Sequence, residues 1–218
     1  MTVPASDREM SFWPTPAEVA DDLVYWLMEP WHALGDGVRV LEPSAGEGHL
    51  VRAIRERLPE AHITAVEPSE TRAAALRATP GIEVVQTTLE LYLADVTRQA
   101  TSGAWQPFHL VVMNPPFTLP DRREAWAEHV LECYHHPHLL APYGVIGAVV
   151  PRIVMTGRSK LVQKVRGLLD ECGRARSCER GAFSGMGAKV STALIWTQKP
   201  YEEAEPSGQL DLFSGVAS

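Results

Sequence analysis

Five short runs rich in β-branched and other apolar residues recur along the first two thirds of the chain: VRVLE (38–42), HITAVE (62–67), IEVVQ (82–86), HLVVM (109–113) and VIGAVV (145–150). Runs of four to six residues with apolar side chains at successive positions read as strands covered on both faces. Between them lie segments with helical spacing, at 48–58, 69–78 and 121–140. Parallel strands need crossover connections of this kind, since a two-residue turn can join only antiparallel neighbours. The pattern predicts an α/β fold whose seven-stranded, mainly parallel sheet carries helices on both faces.

The ends of the chain complete that sheet. Residues 17–34 place Val19, Leu23, Trp26 and Leu27 at helical spacing, with Pro16 near the start, where a helix tolerates it. KLVQKVRGLLDEC (160–172) reads as an amphipathic helix. Two last strands, at about 176–182 and 190–197, flank SGMG, a turn signal that predicts an antiparallel C-terminal hairpin. A single domain over 1–198 is then followed by a tail, 199–218, that opens on the linker-like KPYEEAEPSG.

With 218 residues and 45% hydrophobic content, the chain supports one compact domain with a real core. No apolar stretch approaches the roughly 18 residues needed to span a bilayer, and the N-terminus lacks a basic-then-apolar signal pattern, so no membrane partner is expected. Cys133, Cys172 and Cys178 are odd in number and form no CxxC pair, which suits reduced thiols in a cytoplasmic protein. Cys133, His135, His136 and His138 lie close together, but such a cluster at a helix end is more often a polar terminus, and no metal is assigned.

A net charge of −7 speaks at first against a nucleic-acid partner. Its distribution speaks otherwise. Residues 1–150 hold 10 Lys/Arg against 20 Asp/Glu, whereas residues 151–190 hold 9 Lys/Arg against 3 Asp/Glu. The basic stretch is either a solvated helix face or a phosphate-facing surface on an acidic body. Arg158, Lys160 and Lys164 are its candidate substrate contacts.

Every unusual motif follows a strand, where ligands of open α/β sheets bind. LEPSAGEGHL (41–50) follows the first strand, and Gly46 and Gly48 allow close backbone approach and a sharp entry into a helix. The lysine of a triphosphate-binding loop is absent. Glu42 ends the first strand and Glu67 the second. Either could be a helix-cap acid. Together, on adjacent strand ends, they favour a ribose-bearing, partly cationic cofactor, and S-adenosylmethionine has that chemistry.

In the order FWPTP (12–16), LEPSAGEGHL (41–50), VEP (66–68) and NPPF (114–117), the chain resembles the S-adenosylmethionine-dependent N6-adenine DNA methyltransferases. It is most similar to small phage- or prophage-type enzymes with a Y-P-T-P segment upstream of the cofactor loop. The resemblance covers roughly residues 12–197 and implies a class I, Rossmann-like methyltransferase fold. It implies that the Asn114 side-chain oxygen and the Pro115 carbonyl accept hydrogen bonds from the target amino group, with Pro116 completing the rigid loop and Phe117 stacking on an extruded base. Cofactor contacts would come from Thr15, Pro16, Glu42, Pro43, Ser44, Ala45, Gly46, Gly48 and Glu67. Phe183, in GAFSG, would be a second aromatic holding the base.

At two places the chain departs from that pattern. Trp13 stands where the family has tyrosine, and QTTLE (86–90) stands where an acid usually meets the cofactor's adenine amino group. A threonine oxygen, of Thr87 or Thr88, or Glu90 is the candidate replacement. The family chemistry explains why an apolar strand stops at NPPF. An exocyclic amine shares its lone pair with the ring, and two fixed acceptors aimed at its protons favour a localised lone pair. Proline rigidity keeps the carbonyl pointed. A base inside a duplex must leave the stack to reach such a site.

Related NPP[FY] motifs occur in RNA guanine-N2 and protein glutamine methyltransferases, and a non-catalytic binding subunit is the remaining alternative. The length after residue 197 leaves no room for a target-recognition domain, which predicts low or partner-dependent sequence specificity. QLDLF in the tail resembles the bacterial sliding-clamp-binding pentapeptide. Leu210, Leu212 and Phe213 would fill apolar pockets and Gln209 would bond at their rim. The bland alternative is that this segment docks on its own domain.

Overall fold

The computed structural model describes residues 13–29, 37–179, 183 and 191–200. Seven strands form one sheet in the order β3-β2-β1-β4-β5-β7-β6. They are β1 (Arg39–Glu42), β2 (His62–Val66), β3 (Ile82–Val85), β4 (Phe108–Met113), β5 (Leu140–Pro151), β6 (Gly173–Ser177) and β7 (Thr192–Gln198). The first five pair in parallel, and β7 runs antiparallel between β5 and β6. Six helices connect them: α1 (Ala17–Leu27), α2 (His49–Arg57), α3 (Glu70–Arg77), α4 (Leu89–Thr101), α5 (Ala125–His135) and α6 (Lys160–Cys172).

Strand residues alternate between two cores, as the two-residue period of a pleated strand requires. Leu110 and Val112 of β4 pack with Val19, Leu23 and Leu27 of α1 and with Val51 and Ile54 of α2. Val111 and Met113 pack on the other face with Tyr92 of α4, Trp126 of α5 and Val165 of α6. Gly147 lets α1 lie directly on the sheet, because an added Cβ would stand 2.4 Å from Leu27 Cδ1. That docking carries residues 13–16, which lead into α1, to the carboxyl edge of β4.

The expected elements differ from the observed ones in several places, among them β5, which begins at Leu140 rather than 145, and β6, which ends at Ser177 rather than about 182. The helix predicted over 17–34 ends at Leu27, with Met28 as its cap, just ahead of Pro30. The helix predicted over 121–140 is Ala125–His135. A turn closed by the Leu119–Arg122 bridge precedes it, and Pro137 follows it, so neither flank continues the helical ladder. β6 starts at Gly173 rather than about 176, because the chain passes straight from α6 into the strand. Only glycine permits this, since a Cβ there would meet the Trp196 carbonyl oxygen at 2.3 Å. Helix α4 was not expected at all, although Leu89, Tyr92, Leu93 and Val96 carry its buried stripe. The SGMG turn and the QLDLF segment lie outside the described residues. Among the described residues, no helix is long and apolar enough to cross a membrane.

Candidate active site

From β1 the chain winds outward to β2 and β3, then returns to place β4 on the other side of β1. Such a reversal opens a crevice at the carboxyl ends of the two central strands. Glu42 ends β1 there, and Asn114 follows β4.

The Asn114 amide is fixed by its donor end. Nδ2 donates to the Trp13 carbonyl at 2.9 Å and to Thr15 Oγ1 at 3.0 Å. A carbonyl can only accept, so the amide cannot be turned the other way round. Oδ1 is thereby left as an acceptor with no partner among the described residues. Thr15 is buried at 5% exposure. Trp13 thus contributes its backbone, an atom for which the change from tyrosine is immaterial.

The loop after β1 has a left-handed backbone at Gly46 (φ 53°) and at Gly48 (φ 78°), the residue that caps α2. Larger residues are strained there, and at Gly48 a Cβ would also stand 2.7 Å from Leu76 Cδ2. Ala45 N–H donates to the Val66 carbonyl at 2.9 Å, and Gly46 N–H donates to Glu67 Oε2 at 2.8 Å. The loop is therefore tied to the end of β2. Glu67 Oε1 also accepts from Ser69 N–H at 2.8 Å and from Arg72 Nε at 3.0 Å. It serves both readings of the sequence: it braces the start of α3, and it lines the crevice.

Glu42 is fully buried. Its Oε1 accepts from Ser44 N–H at 3.0 Å and Ser44 Oγ–H at 3.2 Å, while Oε2 has no hydrogen-bond partner among the described residues. Burial pushes its carboxyl up to about 8, against the opposing effect of the Ser44 hydrogen bonds and with a small upward push from the Glu67 charge. An orphaned buried carboxyl oxygen is costly unless a donor or cation meets it.

A cavity of about 420 Å³ occupies the crevice. Of the sequence-derived candidates it gathers Pro43, Ser44, Glu67, Thr88, Asn114, Pro115, Pro116 and Phe117. A recess of about 20 Å³ on the far side of Asn114 gathers Thr15, Glu42, Ala45 and Gly46, and shares Ser44. Pro16 caps α1 instead, and Gly48 acts through the loop's shape. Phe117 is only 8% exposed and belongs to the α4–α6 core as well as to the cavity wall. Phe183 does not line the cavity; it is 2% exposed and packs in the core beneath α1 and α2. Arg158, Lys160 and Lys164 are exposed at the start of α6, on the same edge of the sheet but outside the cavity.

Glu90, the other candidate for the adenine contact, also lines the cavity beside Thr88, which caps α4, and with it stand Arg122 and His129. Arg122 Nη2 donates to Glu90 Oε1 at 2.5 Å, and Arg122 Nη1 reaches Glu128 at 3.5 Å. Partial burial, the largest single effect, raises the Glu90 carboxyl, but hydrogen bonds from Arg122, its own backbone N–H and Thr88, together with the Arg122 charge, outweigh it and bring the carboxyl down to about 2. His129 Nε2 is buried without a hydrogen-bond partner among the described residues, 3.8 Å from Glu90 Oε1, and burial lowers the imidazole to about 4. Arg122 engages one oxygen of Glu90, which leaves the carboxylate further acceptor capacity at the cavity wall. Arg122 and His129 carried no sequence signal, since both sit in a segment that reads as an ordinary helix.

Near the end of α5, Cys133 is buried in the core, and the His136 ring bonds the Leu93 carbonyl and Thr97 Oγ1, both at 3.1 Å. No three His, Cys, Asp or Glu side chains gather as a metal site among the described residues.

No family model matches the chain, and no curated protein matches it. Solved structures do. A protein of Listeria monocytogenes assigned to the class I S-adenosylmethionine-dependent methyltransferases aligns at a TM-score of 0.65 and 14% identity, over 88% of this chain and 62% of that one. A chain of a type I R-M system aligns at 0.58 and 20% identity, over 87% of this chain and 42% of that one. The plantazolicin methyltransferase BpumL, solved with S-adenosylhomocysteine (SAH), aligns at 0.55 and 14% identity, over 90% and 87%. The chain thus spans less than two thirds of the first two. The fold is that of the class I methyltransferases.

Proposed function

We propose that this chain transfers a methyl group from S-adenosylmethionine to the N6 amino group of adenine in DNA. The observation that carries the reading is the Asn114 amide, whose donor end is tied to Trp13 and Thr15 so that its oxygen is free at the wall of the cavity.

The residues present fit the cofactor. A cavity of about 420 Å³ is of the size that holds a nucleoside-bearing ligand. Glu67 would hold the ribose with the acceptor capacity that its three hydrogen bonds leave. The Glu42 oxygen left without a donor suits the ammonium of an amino-acid tail in the recess that Thr15 and Gly46 share. When bound, the cofactor supplies a methyl group already activated by its sulfonium.

What remains for the protein is orientation and polarity. Asn114 Oδ1 and the Pro115 carbonyl hold the two amine protons, which favours a localised lone pair on nitrogen. The amide is pre-set by two hydrogen bonds and the carbonyl by the proline ring, so neither reorganises during reaction. The extra proton leaves to water after transfer. No side chain with a pKa near neutrality is required at the amine. Phe117 offers the base its exposed part, while most of the ring anchors the loop in the core.

A planar amine or amide in RNA or protein meets the same acceptors. Purified protein with labelled cofactor, offered DNA, RNA and protein in parallel, tests the reading, with mass spectrometry of digested nucleosides. N6-methyladenine in DNA is the expected product. Label confined to guanine in RNA, or to glutamine, would overturn it. Residues Gln209, Leu210, Leu212 and Phe213 would add a tether to a bacterial sliding clamp, raising the local concentration on DNA.

A further inference from the structure

One exposed apolar feature lies on the site's edge of the sheet and takes no part in the cavity. β5 ends at Pro151 and passes into a 3₁₀ turn, Arg152–Met155. Met113 of β4 pairs with Ala148 of β5 in parallel register. Asn114 follows the end of β4 and the turn follows the end of β5, so the NPPF loop and the turn leave adjacent strands on the same edge of the sheet. Val154 is buried in the same core as Phe117. Its neighbours point the other way: Ile153 is 51% exposed and Met155 41%.

The turn is built stiff. Thr156 N–H and Gly157 N–H both donate to the Ile153 carbonyl, at 3.1 and 2.6 Å. Arg166 of α6 donates from Nη1 to the Met155 carbonyl at 3.1 Å and from Nη2 to the Gly157 carbonyl at 2.7 Å. Glycine is needed at 157, where a Cβ would stand 2.8 Å from the Ile153 oxygen and 2.9 Å from Val162 Cγ1. Arg152 N–H donates to the Ser191 carbonyl at 2.8 Å. An ordered backbone that holds a bare isoleucine in water gains nothing for the fold.

Around that tip the charge is positive and unspent. Arg152, Arg158 and Lys160 are exposed, and none pairs with an acid among the described residues. They stand on a chain whose first 150 residues carry twice as many acids as bases. Such a surface complements a polyanion, and an apolar tip within it complements stacked bases.

We propose that Ile153, flanked by Met155, is a wedge that enters duplex DNA beside the target base, while Arg152, Arg158 and Lys160 take the adjoining phosphates. This rests on the DNA reading above. Removing a base from the stack leaves an apolar gap, and a rigid side chain that fills it offsets part of the unstacking cost without an ordering penalty of its own. The wedge and the acceptors of the NPPF loop belong to adjacent strands, so one docking event can serve both.

The test compares methyl transfer to a mixed-sequence duplex and to the same strand unpaired, with full-length protein. Ile153→Ala should lose roughly tenfold or more on the duplex and little on the single strand, because only the duplex must be opened. Ile153→Leu, which keeps the bulk, should restore duplex activity. Arg158→Gln with Lys160→Gln should weaken binding to both substrates and flatten the salt dependence. Thermal unfolding within a few degrees of wild type is expected for Ile153→Ala, since only about half of the residue is buried. Equal losses of Ile153→Ala on both substrates, or none on either, would reject the wedge and leave the DNA reading standing. Absence of wild-type transfer to either DNA form, with transfer to RNA or protein, would reject both.

Discussion

Replacing Asn114 with alanine separates what its two ends do. The donor end holds Trp13 and Thr15 in place. Each of these hydrogen bonds is worth about 1 kcal/mol net, so their joint loss costs about 2 kcal/mol of stability. In a domain of this size that lowers the melting temperature by about 4–8 °C. The acceptor end is assigned to the transition state, and loss of one such group typically lowers turnover by about 10²–10³. Thr15→Val provides the control. It removes one of the two donor contacts and leaves the Oδ1 acceptor. Stability should fall by about 1 kcal/mol and turnover by about fivefold, the kinetic equivalent of one hydrogen bond. Single-turnover transfer with labelled cofactor, calorimetric cofactor affinity and thermal unfolding should be read on all three proteins. Cofactor affinity is expected to change little in Asn114→Ala, whereas Thr15→Val, which alters the recess assigned to the cofactor's tail, should weaken it, so turnover is compared at saturating cofactor. If Asn114→Ala turns over near the wild-type rate, or no more slowly than Thr15→Val, the amide is only a structural staple and the assignment fails.

Gly48→Ala should destabilise by about 1–2 kcal/mol, from left-handed strain plus the 2.7 Å approach to Leu76, whereas Gly37→Ala, with φ 83° and open space, should cost only the strain; paired melting curves decide this. Burial raises the Glu42 carboxyl in the folded state to about 8 from an ordinary 4.5, so the folded chain binds the extra proton between those values. Stability tied to this group is whole below about pH 4.5 and is lost as pH rises toward 8. Glu42→Gln should therefore unfold less readily than wild type at pH 8, with a flatter pH profile, while binding S-adenosylmethionine more weakly; an unchanged profile would refute the burial account. Leu212→Ala with Phe213→Ala should abolish binding to purified clamp without altering transfer to short oligonucleotides, and wild-type protein that shows no binding at tens of micromolar, about the scale of a weak motif, would reject the tether.

Local periodicity carried much of the fold. Runs such as HLVVM commit alternate residues to opposite faces, and two cores formed on those faces. KLVQKVRGLLDEC became α6 over the span its apolar spacing marks. The same kind of stripe is present in α4, where Leu89, Tyr92, Leu93 and Val96 recur at helical spacing directly after QTT. Gly46 and Gly48 could be read as turn-forming because their backbone requirement is a property of single residues.

Contacts are another matter. Trp13 and Thr15 meet Asn114 across 101 and 99 residues. Glu90 meets Arg122 across 32 residues, because α4 and the turn before α5 lie over one cavity. Neither meeting follows from spacing along the chain; both follow from the strand order and from where helix α1 docks on Gly147. The state of each carboxylate was likewise decided in three dimensions. Glu42 and Glu67 look alike at two strand ends, yet one is left with an unpartnered oxygen while the other is braced by two backbone amides and Arg72. A sequence specifies which groups are present and which face they take. Burial and partners, which set hydrogen bonding and proton affinity, exist only once the sheet has brought its strand ends together.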